Sequence, residues 1–222
     1  MKILFVSDEE SPALWDYYVP GRLSEYDLIV SCGDLKANYL SFLVTMARVP
    51  VMYVHGNHDG SYDKLPPEGC DCIDGCLVNY KGLRILGLGG CRQYHPGPHQ
   101  YSEKQMQKRI GNLRRQLKKA GGVDIVVAHS PIAGIGDGQD PAHWGFEAFR
   151  SLLDEYKPKY FVHGHVHIRY GIDKTRVRTY GETTVINACE RYCLEIPDES
   201  IPEVTPSTSL WRKWKEKRNC IV

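Results

Sequence analysis

Three apolar runs mark the first sixty residues: Lys2–Val6, Leu28–Val30 and Val51–Val54. Each is close to continuously hydrophobic, the pattern of strands in a parallel sheet buried on both faces. Leu40–Ala47, between the second and third runs, has the look of a helix. All three runs stop at polar residues: Ser7-Asp8, then Ser31-Cys32-Gly33-Asp34, then His55-Gly56-Asn57-His58-Asp59. Ligands of such sheets gather beyond the carboxyl ends of the strands. Metal-competent side chains recur at that place three times, which is the first functional sign.

From Cys72 to Leu88 the pattern becomes hairpin-like, with Lys81-Gly82 as the turn. Ser102–Ala120 reads as a long polar helix. Ser102 and Gln105 have capping-box spacing, and Gly121-Gly122 ends the helix. Val123–Ala128 is a further buried strand, ending at His129. Phe146–Tyr156 is helical and stops before Pro158, and Tyr160–Val162 leads into His163-Gly164-His165-Val166-His167. Val177–Tyr180 and Thr183–Asn187 form a hairpin around Gly181-Glu182, with a further strand over Arg191–Ile196. No internal repeat interrupts this order.

Pro197, Pro202 and Pro206 punctuate the remaining stretch, so residues 1–197 are expected to form the domain and 198–222 a tail. Within the tail, Leu210–Arg218 is a short basic, helix-like segment. Trp211–Val222 holds five basic residues and one acid. It reads as an amphipathic terminal helix resting on the core through Trp211 and Trp214, with contact to an anionic partner as the alternative.

Composition narrows the class. The 222 residues are 42% hydrophobic and 25% charged, ordinary for one soluble globular domain. A net charge of +1 gives no general attraction to nucleic acid or membrane. Apolar runs such as Ile125–Ala128 are far too short to span a bilayer, and the first ten residues lack a signal-peptide pattern. The expected location is therefore cytoplasmic, where eight cysteines read as reduced thiols. Cys70, Cys72 and Cys76 form a small cluster. Their spacing matches no common zinc pattern, so buried or free thiols are preferred over a zinc site there.

Taken singly, a Gly-Asp pair or a histidine at a strand end carries little weight. The ordered set carries more: Asp8, Gly33-Asp34, Gly56-Asn57-His58-Asp59, His129 and Gly164-His165-Val166-His167, each after an apolar run. This order resembles the calcineurin-like metallophosphoesterase superfamily, with its Asp-x-His, Gly-Asp, Gly-Asn-His-Asp/Glu, later His and Gly-His-x-His motifs. The resemblance spans residues 8 to 167. It implies an α/β fold in four layers, an αββα sandwich with two sheets face to face and helices outside.

It also implies a site for two divalent metal ions. Asp34 would bridge them; Asp8 and His167 would serve the first, and Asn57, His129 and His165 the second. Carboxylate, amide and imidazole donors suit manganese, with iron or zinc as alternatives. Two such ions about 3.5–4 Å apart can clamp a phosphate and activate the water that attacks it. His58 would contact the phosphate, as Asn57 would, and serve as general acid to the leaving group. Asp59 would orient His58 or cap a turn.

Two departures from the family pattern matter. Glu10 stands where the first motif has histidine, an oxygen donor that would make the first metal site more anionic; the alternatives are a Glu10 turned outward, which leaves that site weak or completed by water, and Glu9 as the ligand if the turn is shifted. After Gly33-Asp34 the Asp-Arg pair of serine/threonine protein phosphatases is missing, which points to a small phosphomonoester or phosphodiester as substrate. Two Gly-rich loops, 87–97 and 134–143, are candidates for the pocket rim. In the first, Arg92 is a candidate phosphate ligand and a solvated arginine the alternative. The competing functional class is a non-catalytic metal-binding scaffold of the same fold. A nuclease of extended nucleic acid is disfavoured by the neutral charge. Oligomeric state is left open.

Overall fold

The computed structural model describes residues 1–168 and 175–201. In chain order the strands are β1 Lys2–Ser7, β2 Leu28–Ser31, β3 Val51–Tyr53, β4 Asp71–Cys72, β5 Leu77–Tyr80, β6 Leu83–Leu88 and β7 Cys91–Arg92. They continue as β8 Gln100–Tyr101, β9 Ile125–Ala128, β10 Tyr160–His163, β11 Val177–Tyr180, β12 Thr183–Asn187 and β13 Glu190–Glu195. Helices α1 Ala37–Ala47, α2 Glu103–Ala120 and α3 Glu147–Tyr156 complete the framework.

One sheet has the order β13-β1-β2-β3-β4 and the other β11-β12-β10-β9-β6-β5, with β7 and β8 as a separate pair. β1, β2, β3 and β4 run parallel and β13 antiparallel to β1. In the second sheet β6, β9, β10 and β12 are parallel, with antiparallel β5 and β11 at the two edges.

The inner faces meet in one apolar layer. Phe5, Val30, Met52 and Val54 from the first sheet pack with Ile85, Val127, Val162 and Ile186 from the second. Outside the second sheet, α2 and α3 bury Met106, Ile110, Leu113, Phe149 and Leu152 against Leu86, Val126 and Phe161. Outside the first, α1 buries Tyr39, Leu40 and Leu43 against Leu4, Ile29 and Val51. The result is the expected four-layer αββα sandwich. The near-continuous apolar runs have their cause here, since every central strand is covered on both sides.

Local signals set the element ends. The Ser102 hydroxyl accepts from the Gln105 N–H while the Gln105 side chain accepts from the Ser102 N–H, the capping box expected of α2. Gly121, at φ 73°, closes the helix, and Arg84 caps it by donating to the Ala120 and Gly121 carbonyls at 3.2 and 2.5 Å. Lys81 and Gly82, at φ 48° and 96°, make the tight β5–β6 turn. α1 begins at Ala37, three residues before the apolar spacing shows it, because Ala37 and Asn38 precede its buried face. The tail segment Leu210–Arg218 lies outside the described residues.

Candidate metal centre

The parallel strands of both sheets end at the same edge of the sandwich. Asp8 comes after β1, Asp34 after β2, Asn57 after β3, His129 after β9, and His165 and His167 after β10. Hydrogen bonds tie these ends together, one within the second sheet and one across to the first. Gly164 N–H donates to the His129 carbonyl at 3.0 Å, and His165 N–H to the Asp8 carboxylate oxygens at 2.9 and 3.0 Å. Asp8, Asp34 and His165 all have positive φ, 65°, 58° and 67°. Three non-glycine residues in the left-handed region at one edge is backbone strain gathered where side chains must be aimed.

Two glycines make the close approach possible. A Cβ on Gly56 would overlap Asp34 Oδ1, and one on Gly164 would overlap Ser7 Oγ and crowd Asp8 Oδ2. Asp59 holds the second and third motifs together, since its Oδ2 accepts from Gly56 N–H at 2.7 Å and Asp34 N–H at 2.9 Å. It therefore fastens backbone rather than the His58 ring. Burial pushes its carboxyl up to about 6, assisted by the Asp34 charge, despite the Gly56 hydrogen bond.

The inner group is Asp34, Asn57, His129 and His165. His129 Nε2 lies 3.2 Å from Asp34 Oδ2, 3.1 Å from Asn57 Oδ1 and 3.1 Å from His165 Nδ1. The opposite nitrogen of each imidazole faces a backbone carbonyl: His129 Nδ1 donates to Cys32 at 2.8 Å, and His165 Nε2 to Ala142 at 2.6 Å. With those N–H bonds made, the remaining nitrogens can each turn a lone pair toward a cation. Four lone-pair donors thus converge in a buried space. One proton satisfies a single pair among them, whereas one cation satisfies all four, so the donor set fits a divalent metal.

The electrostatics agree. Burial opposes charge on His129, but the Asp34 carboxylate outweighs it and lifts the imidazole to about 9. His165, buried and beside His129, is pressed down to about 3. Asp34, though burial opposes its charge, is held below the usual carboxylate range by His129. A site built to hold positive charge shows this split between its two imidazoles.

The outer group lies beside it. Asp8 senses the charges of both His129 and His167. His167 Nδ1 is 3.2 Å from Glu9 Oε1, and Glu9, His167 and Cys189 each offer a ligand atom within 4.8 Å of the others. Glu10 turns elsewhere: its Oε1 lies 3.3 Å from Lys36 Nζ and 3.4 Å from the Lys36 N–H. The turn at Asp8 explains the choice, since Glu9 N–H reaches back to the Ser7 carbonyl at 2.7 Å and breaks the strand alternation.

His58 stands at the mouth. Its side chain is 76% exposed, with Nε2 4.0 Å from Asp34 Oδ2 and its N–H bound to Asp34 Oδ1 at 2.7 Å. Both Gly-rich loops border the centre: Tyr94 OH accepts from Asn57 Nδ2 at 3.4 Å, and Ala142 holds His165. Arg92 contacts the second loop, its guanidinium 5.4 Å from the Trp144 ring centre and 3.5 Å from the Gly145 carbonyl. No disulfide joins the seven cysteines among the described residues. Cys70, Cys72 and Cys76 do not converge there as a three-ligand group.

A model of the calcineurin-like phosphoesterase family matches residues 1–169, the stretch that carries every one of these motifs. The chain belongs to that family. As a calcineurin-like phosphoesterase it is similar to the uncharacterized protein MJ1162 of Methanocaldococcus jannaschii, 24% identical over 72% of this chain and 76% of the relative. It is also similar to the UPF0046 protein K07C11.7 of Caenorhabditis elegans, 24% identical over 86% of this chain and 70% of the other. Among solved structures, TT1561 of Thermus thermophilus superposes with a TM-score of 0.59 at 16% identity, over 85% of this chain and 89% of that one. That likeness concerns the fold. The calcineurin-like phosphoesterase has no helix, among its described residues, long and apolar enough to cross a membrane.

Two neighbours of the centre lie outside the family motifs, Cys189 and the Ala142 carbonyl of the second Gly-rich loop, while the fallback Glu9 is the acid that meets His167 of the last motif. Asn187 and Cys189, at and just past the end of β12, offered one signal, polar residues again closing an apolar strand.

Proposed function

We propose that this calcineurin-like phosphoesterase hydrolyses a small phosphomonoester or phosphodiester with two divalent cations in the centre. The observation that carries this reading is the convergence of Asp34, Asn57, His129 and His165 beside an exposed His58. Bound there, two cations would neutralise phosphoryl oxygens and acidify water for attack on phosphorus. The inner donor set suits manganese, with iron and zinc as alternatives.

The chain's own groups then have distinct tasks. Asp34 shares its two oxygens between the inner imidazole and the His58 backbone, so it also fixes where His58 begins. Asn57 presents its amide oxygen inward and its NH2 toward Tyr94, a placement that suits contact with a phosphate as well as a cation. His58, free to turn at the mouth, delivers a proton to the departing alkoxide. Arg92 supplies an additional phosphate contact by swinging from Trp144. Asp8 and His167 supply the outer group, with an acidic partner from the pair Glu9 and Glu10.

The test is turnover of aryl phosphomonoesters and phosphodiesters, with the metal-depleted chain reloaded with manganese, iron or zinc. Metal-dependent release of the aryl alcohol is expected for at least one ester class. No turnover with any of the three metals across both classes would overturn the reading. The competing scaffold reading would then stand.

A further inference from the structure

The outer group contains a sulfur that the family pattern does not supply. Glu9, His167 and Cys189 bring a carboxylate oxygen, an imidazole nitrogen and a thiol sulfur within 4.8 Å of one another. Cys189 is buried, with only 2% of its surface exposed. Burial, with the nearby charges of Asp8 and Glu9, pushes the thiol up to about 11 in the metal-free chain.

Backbone contacts hold Cys189 in this position, and the Ile168 N–H also meets its sulfur. Asn187 Oδ1 accepts from the Cys189 N–H at 2.9 Å, while Asn187 Nδ2 donates to the Val166 carbonyl at 2.8 Å. One side chain therefore fixes Cys189 relative to the turn that carries His165 and His167. Arg176 donates to the Cys189 carbonyl at 2.8 Å, so its guanidinium engages the backbone rather than the sulfur. The Ala188 N–H, bound to the His163 carbonyl at 2.7 Å, secures the same segment to β10.

We propose that Cys189 is a ligand of the outer metal ion, completing with Asp8, Glu9 and His167 a mixed carboxylate, imidazole and thiolate site. The inference rests on the two-cation reading of the centre. It also accounts for the missing first-motif histidine, because the donor lost there is replaced by sulfur from the end of β12. On uptake of a cation the S–H proton leaves to solvent as the sulfur–metal bond forms. A thiolate changes metal preference. Zinc or cobalt(II) should be favoured in the outer position over manganese, whose preferred donors are oxygen and nitrogen.

Cobalt reports on the sulfur directly. The full-length chain is depleted of metal, reloaded with cobalt(II) and examined by ultraviolet–visible absorption, with metal counted by elemental analysis. Wild type should bind two cobalt ions and show a thiolate-to-cobalt charge-transfer band. Cys189→Ser should lose that band and weaken the outer ion by about 100-fold or more, whereas the exposed-cysteine control Cys193→Ser should keep both. A wild-type cobalt protein without the band, or a band that survives in Cys189→Ser, overturns the proposal. X-ray absorption at the zinc edge of the wild-type chain requires no variant. A sulfur neighbour at about 2.3 Å supports the site, and a shell of nitrogen and oxygen alone overturns it. Failure here is distinct from failure of the functional reading: an active protein without sulfur ligation loses only Cys189, and a sulfur-ligated protein without turnover loses only the hydrolase.

Discussion

His165 Nδ1 and His129 Nε2 face each other across 3.1 Å, each ring's other nitrogen tied to a backbone carbonyl. Without a cation, Asp34 draws a proton onto His129 and hydrogen-bonds it, on the nitrogen a cation would use. Metal binding must expel it. Below about pH 9, where His129 is protonated in the metal-free chain, filling the inner position should release about one proton per cation, and affinity should rise with pH. Above that value proton release should cease. Calorimetric titration in buffers of different ionisation enthalpy measures the number.

The His129–Asp34 pair fixes the sign of metal-free stability, read by thermal unfolding across pH. His129 is raised from 6.5 to about 9, so its contribution is complete below 6.5 and lost as pH climbs through 9. Asp34 is depressed from 3.8, so its contribution is complete above that value and lost on acidification. Metal-free protein should therefore soften at both ends.

His58→Ala should separate chemistry from metal binding. The ring is exposed at the mouth and its nearest carboxylate oxygen is 4.0 Å away, so its removal leaves the inner donors in place. With a leaving group that needs protonation, kcat should fall by about 10²–10⁴-fold with unchanged metal content. Activated aryl esters, whose leaving group departs unprotonated, should be affected far less. Equal losses on both substrates would remove the general-acid role.

Glu9 and Glu10 invite direct comparison. Glu9 meets His167, and Glu10 meets Lys36. Glu9→Gln should weaken the outer ion by about tenfold or more, while Glu10→Gln should change its affinity little. Elemental analysis after dialysis against a chelator series distinguishes the two. A larger loss with Glu10→Gln would restore the motif position as the ligand.

The inner group could be read from the chain because each of its members lies just past a buried strand, where hydrophobic pattern and polar break coincide. The choice between Glu9 and Glu10 could not. It depends on the left-handed Asp8 and the reverse turn onto Ser7, which cancel the two-residue alternation that β1 would otherwise extend. Cys189 was obscured differently. Thiols without motif spacing read as core, and only the pairing of β10 with β12 brings it beside His167. Tyr94 and Ala142 sit in loops with no period to read. The four-layer fold was accessible for the opposite reason: strands covered on both faces advertise it over many residues at once.

A buried ionic network behind the His55–Asp59 turn gives the last prediction. Asp74 accepts from Gly89 N–H at 2.7 Å, lies 3.2 Å from His55 Nδ1 and is paired with Arg109. Burial works against the carboxylate, yet His55 and Arg109 hold it below its usual range. Burial also opposes charge on His55, but Asp74 and Cys72 lift it from 6.5 to about 10. Arg109→Ala would leave the carboxylate with His55 as its remaining cationic partner, at a cost of about 2–3 kcal/mol in urea unfolding, the lower range for a pair one-fifth exposed on the arginine side. Because a raised imidazole contributes fully below 6.5 and is lost through about 10, wild-type stability should decline across that interval. Asp74→Asn removes the carboxylate that lifts His55 and should flatten the decline. Since His55 leads directly into Gly56 and Asn57, both variants should also lower metal retention, and a variant unfolding like wild type at pH 9 with metal intact would show that this network does not support the centre.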